Sequence, residues 1–318
     1  MSKTILTPQE WHLHDLTAKF LKPFGDRVWI VEDQRVLYVD DSDAAKYLTL
    51  MDNPVYASGF HAQTVDLVRL NVNRFLNHPS VRLVDLGPGY PDKTIPIMQE
   101  AQKRGTDLTY VPVDVSKAYV DLAATVAARY LPQDKIRPMN ISFQEVGNTD
   151  LSDDKTKTYY FLGLTIMNFT RGQYVPLFNS MLKNPEDEAV IAAEFITRQN
   201  TVDSILAQYE TGREFTFSPL KNLGFRMEDT EFKVEYANER VELSHIFKSA
   251  AKGHTMSFEK GDRIISAFSY RKPVGKFLDD IKLDFNIRGG DVSLATMGLG
   301  TGLMFLQKYP TSPNPTPL

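Results

Sequence analysis

Cysteine is absent from all 318 residues, which excludes structural disulfides, thiolate-held metals and a cysteine nucleophile. Positive charge is not in surplus either: 36 Lys and Arg stand against 40 Asp and Glu, a formal net charge of -4. A phosphate-backbone footprint needs clustered basic residues, so nucleic acid is not an expected partner. Long apolar runs are missing as well. The longest uncharged stretch near the C-terminus, Val292 to Gln307, is broken by Gly298, Gly300 and Gly302 and falls short of the roughly 20 residues of a membrane span. Between Met1 and Lys22 the chain carries Glu10, Asp15 and two histidines where a secretion signal would have its apolar centre. A cytoplasmic location without membrane attachment is therefore expected. What remains is ordinary globular composition, 42% hydrophobic and 24% charged, with enough chain for one large domain or two modest ones.

The hydrophobic pattern predicts a helical N-terminal region with short extended pieces at Arg27–Val31 and Val36–Val39, then a helix from about Ala62 to Leu76 that His78-Pro79 ends. From Val81 the rhythm changes. Val81–Leu86 reads as a buried strand stopped by Gly87-Pro88-Gly89, with a helix from about Asp92 to Arg104. Leu108–Val113 reads as a second strand ending at Asp114, followed by a helix from about Ser116 to Tyr130. Asn140–Val146 and Tyr159–Leu164 give a third and a fourth strand. Such alternation predicts a parallel sheet covered on both faces, with ligands at the carboxyl ends of the strands. Beyond Pro185, Glu188–Tyr209 and Asn238–Ala251 read as helical, and strand character returns at Asp262–Ser269, Asp291–Thr296 and Leu303–Tyr309, with a helix at Gly275–Leu283. The expected organisation is an N-terminal helical cap (1–78), a nucleoside-binding core (79–185), an inserted substrate-binding region (186–258), strands completing the core (259–309) and a loose Pro-rich tail (310–318).

Two features carry chemistry. Asp85-Leu86-Gly87-Pro88-Gly89 places glycines directly after a buried strand, where the backbone can approach a ligand at a helix N-terminus. Asp114, at the end of the next strand, is a carboxylate able to accept from both hydroxyls of a ribose. Together they predict a nucleoside site. Asp92 stands where a pyrophosphate-binding loop would have its third glycine, which makes a nicotinamide cofactor the weaker reading. Other candidates carry less. Trp11-His12-Leu13-His14 offers two nitrogens without a spaced third ligand, so no metal site is expected. Gly298-Leu299-Gly300-Thr301-Gly302 imitates a phosphate loop but leaves too little chain for a βαβ unit.

The pattern Asp-x-Gly-x-Gly with an acidic residue after the second strand resembles class I S-adenosylmethionine-dependent methyltransferases, whose Rossmann-like sheet is the fold it implies. The segments Asp85–Gly89 with Lys93-Thr94, Val113–Ser116, Phe161–Phe169 and Ile264–Lys272 narrow the resemblance to the histidine-specific N-methyltransferase family. It implies that S-adenosylmethionine is the cofactor. Its methionine portion would lie against Gly87, Pro88, Gly89 and Lys93, its ribose at Asp114 and Val115, and its adenine beside Gly147 and Asn148, with Gly163 in the motif after the fourth strand. Asn168, the asparagine of a Thr-Ile-x-Asn motif, would contact the substrate's amino-acid end, and Tyr56 would close over the site. The late strand departs from the family. Where the histidine enzymes have Glu-x-Ser, this chain reads Ala267-Phe268-Ser269, so Ser269 survives and the carboxylate is gone. Losing such a partner costs on the order of 1.5–3 kcal/mol, roughly ten- to a hundredfold in affinity.

Histidine is thus an unexpected substrate, and Phe268 with Ala267 predicts a more apolar pocket. The resulting expectation is N-methylation of a small amino acid or biosynthetic amine. Transfer to oxygen or carbon, or a cofactor-binding partner protein without turnover, remain the alternatives.

Overall fold

The computed structural model describes residues 8–38, 41–51, 53–149, 151, 156–287 and 300–308. In chain order the strands are β1 (Leu21–Gly25), β2 (Val28–Val31), β3 (Ser80–Leu86), β4 (Asp107–Val113), β5 (Thr156–Phe161), β6 (Glu188–Glu194), β7 (Thr230–Ala237), β8 (Arg240–Phe247), β9 (Ala251–Lys252), β10 (Ser257–Phe258), β11 (Arg263–Tyr270), β12 (Phe285–Ile287) and β13 (Thr301–Lys308). They fall into two units, Met1–Ala57 with Val202–Arg271 and Ser58–Thr201 with Lys272–Leu318.

The second unit holds a six-stranded sheet in the order β12-β13-β6-β5-β3-β4. Strands β4, β3, β5 and β6 are parallel, while β13 runs antiparallel to both β6 and β12. Every residue of β3 and β4 after the first is buried, as a parallel sheet covered on both faces requires. Parallel bridges Tyr110↔Ile136 and Val113↔Met139 carry the pairing one segment beyond β4. The chain order reverses between β3 and β5, which makes their carboxyl ends the topological switch point of a Rossmann-like sheet. Helices Ala62–Phe75, Ile95–Arg104, Lys117–Ala127, Arg171–Met181 and Val274–Lys282 complete the unit.

The other unit is built on a sheet ordered β1-β2-β11-β8-β7, antiparallel except for the β2–β11 pair. One face packs Val31, Phe217, Leu220, Phe225, Phe247 and Ile264 into a core. Neighbouring strand positions point the opposite way, and Ile30, Ile265 and Phe268 cluster there.

Several elements differ from the sequence reading, each for a local reason. Val36 and Leu37 lie in a 3-10 turn, Gln34–Leu37, because Asp33 accepts from the Arg35 N–H and caps it. Asn140–Val146 is not a strand. Ser142 and Glu145 form a capping box and start the short helix Phe143–Val146, which satisfies the backbone locally. Glu188–Glu194, read as helical for its alanines, is the wholly buried strand β6. Asn238–Ala251 is not helical either: Asn238 (φ 53°) and Glu239 (φ 60°) turn the chain from β7 into β8, the geometry of a two-residue hairpin. Asp262–Ser269 does form a strand, β11, but it pairs with β2 and β8 instead of joining the six-stranded sheet. The strand expected at Asp291–Thr296, Gly298-Leu299 and the tail from Pro310 lie outside the described residues.

Candidate active site

The turn after β3 is conformationally committed. Gly87 (φ 74°) and Gly89 (φ 50°) both occupy the left-handed region, which glycine enters without the penalty of a Cβ. A Cβ on Gly87 would also stand 3.1 Å from Thr165 Oγ1 and 3.4 Å from the Phe143 ring. The Gly87 N–H donates to the Val113 carbonyl at 2.9 Å, so the turn is tied to the end of β4. Gly163, after β5, faces the same place: a Cβ there would lie 4.0 Å from the Gly87 carbonyl oxygen. The structure therefore brings together three of the loops singled out in the sequence.

Asp114, just beyond β4, is 7% exposed. Its Oδ1 accepts from the Ser116 N–H at 2.9 Å, and no cationic side chain among the described residues pairs with it. Burial pushes its carboxyl up to about 7, with only the Ser116 and Val115 N–H groups opposing. Asn140 Nδ2 donates to the carbonyls of Asp114 and Val115, both at 2.9 Å, and fixes the loop. Asn140 was missed in the sequence because its role is a through-space link between segments 25 or 26 residues apart. Gly147 packs so tightly that a Cβ would meet Ser180 Oγ at 2.5 Å, and Lys183 Nζ donates to its carbonyl at 2.5 Å. Asn148 follows on the same turn, its N–H donating to the Glu145 carbonyl. Asn168 ends the 3-10 turn Leu164–Asn168 that follows Gly163.

Opposite charges at the base of the turn act on one another without pairing directly. Lys93 is 7% exposed, yet among the described residues its ammonium makes no hydrogen bond or ion pair, and burial holds its pKa below the usual lysine range. Asp85 is occupied elsewhere, accepting from the Tyr110 hydroxyl at 2.7 Å, and burial pushes it up to about 7. Asp92 pairs with His61, Nε2 to Oδ2 at 2.6 Å. The Asp92 and Asp85 carboxylates favour the charged lysine without bonding it, which leaves its N–H donors for an anionic ligand. A buried carboxylate beside a glycine turn and a buried lysine with unused N–H donors fit a nucleoside that carries an amino-acid end, the shape of S-adenosylmethionine.

Tyr56, Phe268 and Ser269 belong to the other unit. Tyr56 is buried, its hydroxyl 3.3 Å from that of Tyr47 and its ring 6.3 Å from that of Tyr209. The fully buried Arg271 donates to Ser269 Oγ at 2.7 Å and to the Tyr209 hydroxyl at 2.6 Å, so Tyr56 and Ser269 are linked through Tyr209 and Arg271. Phe268 faces the other side of its strand. Strand alternation turns it away from Ala267 and Ser269, into the Ile30–Ile265 cluster, with the Arg240 guanidinium 4.7 Å above its ring. His14 is buried against Thr255 Oγ1 at 2.9 Å, and no group of metal-ligating side chains occurs among the described residues. No helix among them is long and apolar enough to cross a membrane.

The sequence profile of a family described as histidine-specific methyltransferase, SAM-dependent, matches residues 62–274, well over half of the chain. No curated protein matches. Among solved structures, the chain is similar to the CcbJ methyltransferase from Streptomyces caelestis, with 11% identity, 77% of this chain and 95% of that chain covered, and a TM-score of 0.42. It is also similar to a SAM-dependent methyltransferase from Thiobacillus denitrificans in complex with S-adenosyl-L-homocysteine (11% identity, 76% and 90% covered, TM-score 0.41). A third is the magnesium protoporphyrin IX methyltransferase from Synechocystis with bound SAM (14% identity, 75% and 97% covered, TM-score 0.38).

Proposed function

The chain belongs to the histidine-specific, S-adenosylmethionine-dependent methyltransferase family, and on that premise we propose that it N-methylates a small amino acid or biosynthetic amine other than histidine. When bound, S-adenosylmethionine supplies a methyl group on a sulfonium, open to attack by a lone pair. The protein's task is then to bind, align and keep out water. Gly87, Pro88, Gly89 and Lys93 hold the methionine portion of the cofactor, Asp114 and Val115 the ribose, and Gly147, Asn148 and Gly163 line the remainder. Asn168 and Tyr56 orient the substrate amine.

In-line displacement needs that nitrogen about 3 Å from the methyl carbon with its lone pair free, so the ammonium loses its proton before transfer. Ser269 fixes the rest of the substrate. Its oxygen already accepts from Arg271, which leaves its O–H to donate to an acceptor on the substrate.

Ala267 carries the choice of substrate. It is buried and sits in register with Leu243 on β8, an apolar position where the histidine enzymes are expected to present a carboxylate to the imidazole. Incubation with S-adenosylmethionine bearing a deuterated methyl, against a panel of amino acids and amines, tests this by mass spectrometry. Labelled methyl should appear on nitrogen of an acceptor other than histidine. Histidine labelled ahead of every other acceptor would contradict the proposal.

A further inference from the structure

His61 ends the helical turn Ala57–His61 and leads into helix Ala62–Phe75, while Asp92 lies in the 3-10 turn Pro91–Lys93 just past the glycine loop. The imidazole holds Asp92 by Oδ2, Nε2 being 2.6 Å away. The other oxygen, Oδ1, is buried and accepts no hydrogen bond from any of the described residues. One residue on, Lys93 is buried; the Asp92 and Asp85 carboxylates favour its charged form, but no described residue makes a hydrogen bond or ion pair with its ammonium.

A buried acceptor without a donor is costly, and a buried ammonium whose donors make no hydrogen bond is costly as well. On adjacent residues of one turn they complement a zwitterion, the carboxylate matching Lys93 and the ammonium matching Asp92. Asp85 favours the charged Lys93 only from a distance, since the Tyr110 hydroxyl engages its carboxylate at 2.7 Å and burial opposes its charge. Bonding to His61 also fixes the rotation of the Asp92 carboxylate, so that Oδ1 is kept available.

We propose that Asp92 Oδ1 accepts the α-ammonium of the cofactor's methionyl end, and that His61 is the positioning residue that holds Asp92 for it. This rests on the reading that the glycine turn and Lys93 bind that end of the cofactor. It adds two residues, Asp92 and His61, to the binding set.

The test is calorimetric titration of the full chain with two ligands, S-adenosylhomocysteine and 5′-methylthioadenosine, the second keeping nucleoside and sulfur but lacking the amino-acid end. Asp92→Asn should weaken S-adenosylhomocysteine roughly ten- to a hundredfold while 5′-methylthioadenosine stays within about twofold. His61→Ala should lower the same ratio by roughly three- to tenfold, and His61→Gln, which keeps a donor, should restore most of it. A structural role alone would move both ligands together. The proposal is overturned if Asp92→Asn leaves the ratio of the two affinities at the wild-type value; should that variant not fold, an unchanged ratio in His61→Ala overturns it equally. Asp114→Ala separates the underlying reading. Loss of both ligands supports a shared ribose contact, whereas wild-type protein that binds neither ligand refutes the cofactor site itself and the proposal with it.

Discussion

Asp114 is kept in a position that opposes its charge. Burial raises its carboxyl to about 7 from an ordinary value of 3.8, so between those values the folded chain holds a proton that the unfolded chain has lost. Its stabilising contribution is therefore complete below about pH 4 and is lost as the pH rises towards 7. Asp114→Asn imitates the protonated form and should raise the melting temperature at pH 8 but not at pH 4, as thermal denaturation at the two values will show. Asp114→Ala should abolish cofactor binding. Gly87→Ala should destabilise by about 1–2 kcal/mol through its left-handed backbone alone, before the 3.1 Å approach to Thr165 is counted; chemical denaturation measures it. At this scale the sequence was readable wherever chemistry is local. Gly87, Gly89 and Asp114 announce themselves by position after strands, whereas Asn140, Tyr209 and the His61–Asp92 pair act between segments distant in the chain and leave no spacing to find.

Among the elements, the β7–β8 hairpin shows why the later part of the chain reads poorly. Asn238-Glu239 makes a turn in which both residues have positive φ, yet glutamate is not a residue that signals it. Glu239→Gly should remove the strain of a Cβ there and stabilise the protein by about 1 kcal/mol, read as a higher denaturation midpoint. Strand β6 was hidden by composition: Ala189, Ala192 and Ala193 favour helix in isolation, and only burial between β5 and β13 makes the segment a strand. Strand β8 adds a pH effect of its own. His245 is wholly buried between the hydroxyls of Thr216 and Thr230, at 3.1 and 3.4 Å, and burial lowers its pKa to about 3. Between about 6.5 and 3 the unfolded chain binds a proton that the folded chain refuses, so this group's contribution to stability falls as the pH drops through that window. His245→Gln should make the acid limb of a stability–pH curve shallower than that of the wild type.

For the whole molecule, the chain crosses between its two units at 57/58, 201/202 and 271/272, and the family match, from residue 62 to 274, runs through both. The alternation of β3, β4 and β5 with their helices was plain in the sequence because each strand is a buried apolar run closed by a turn. The second sheet was not, since β1 and β2 come from one stretch of the chain and β7, β8 and β11 from another, and the β2–β11 pairing that joins them is long-range. As an S-adenosylmethionine-dependent methyltransferase, the chain is proposed to grip its cofactor with the glycine turn, Lys93 and Asp114. Calorimetric titration of wild-type and Asp114→Ala protein with S-adenosylhomocysteine, with NAD as the comparison ligand, tests it most directly. The wild type should bind S-adenosylhomocysteine and not NAD, and Asp114→Ala should bind neither; binding of NAD in preference, or full retention of S-adenosylhomocysteine binding by the folded variant, would rule out this grip.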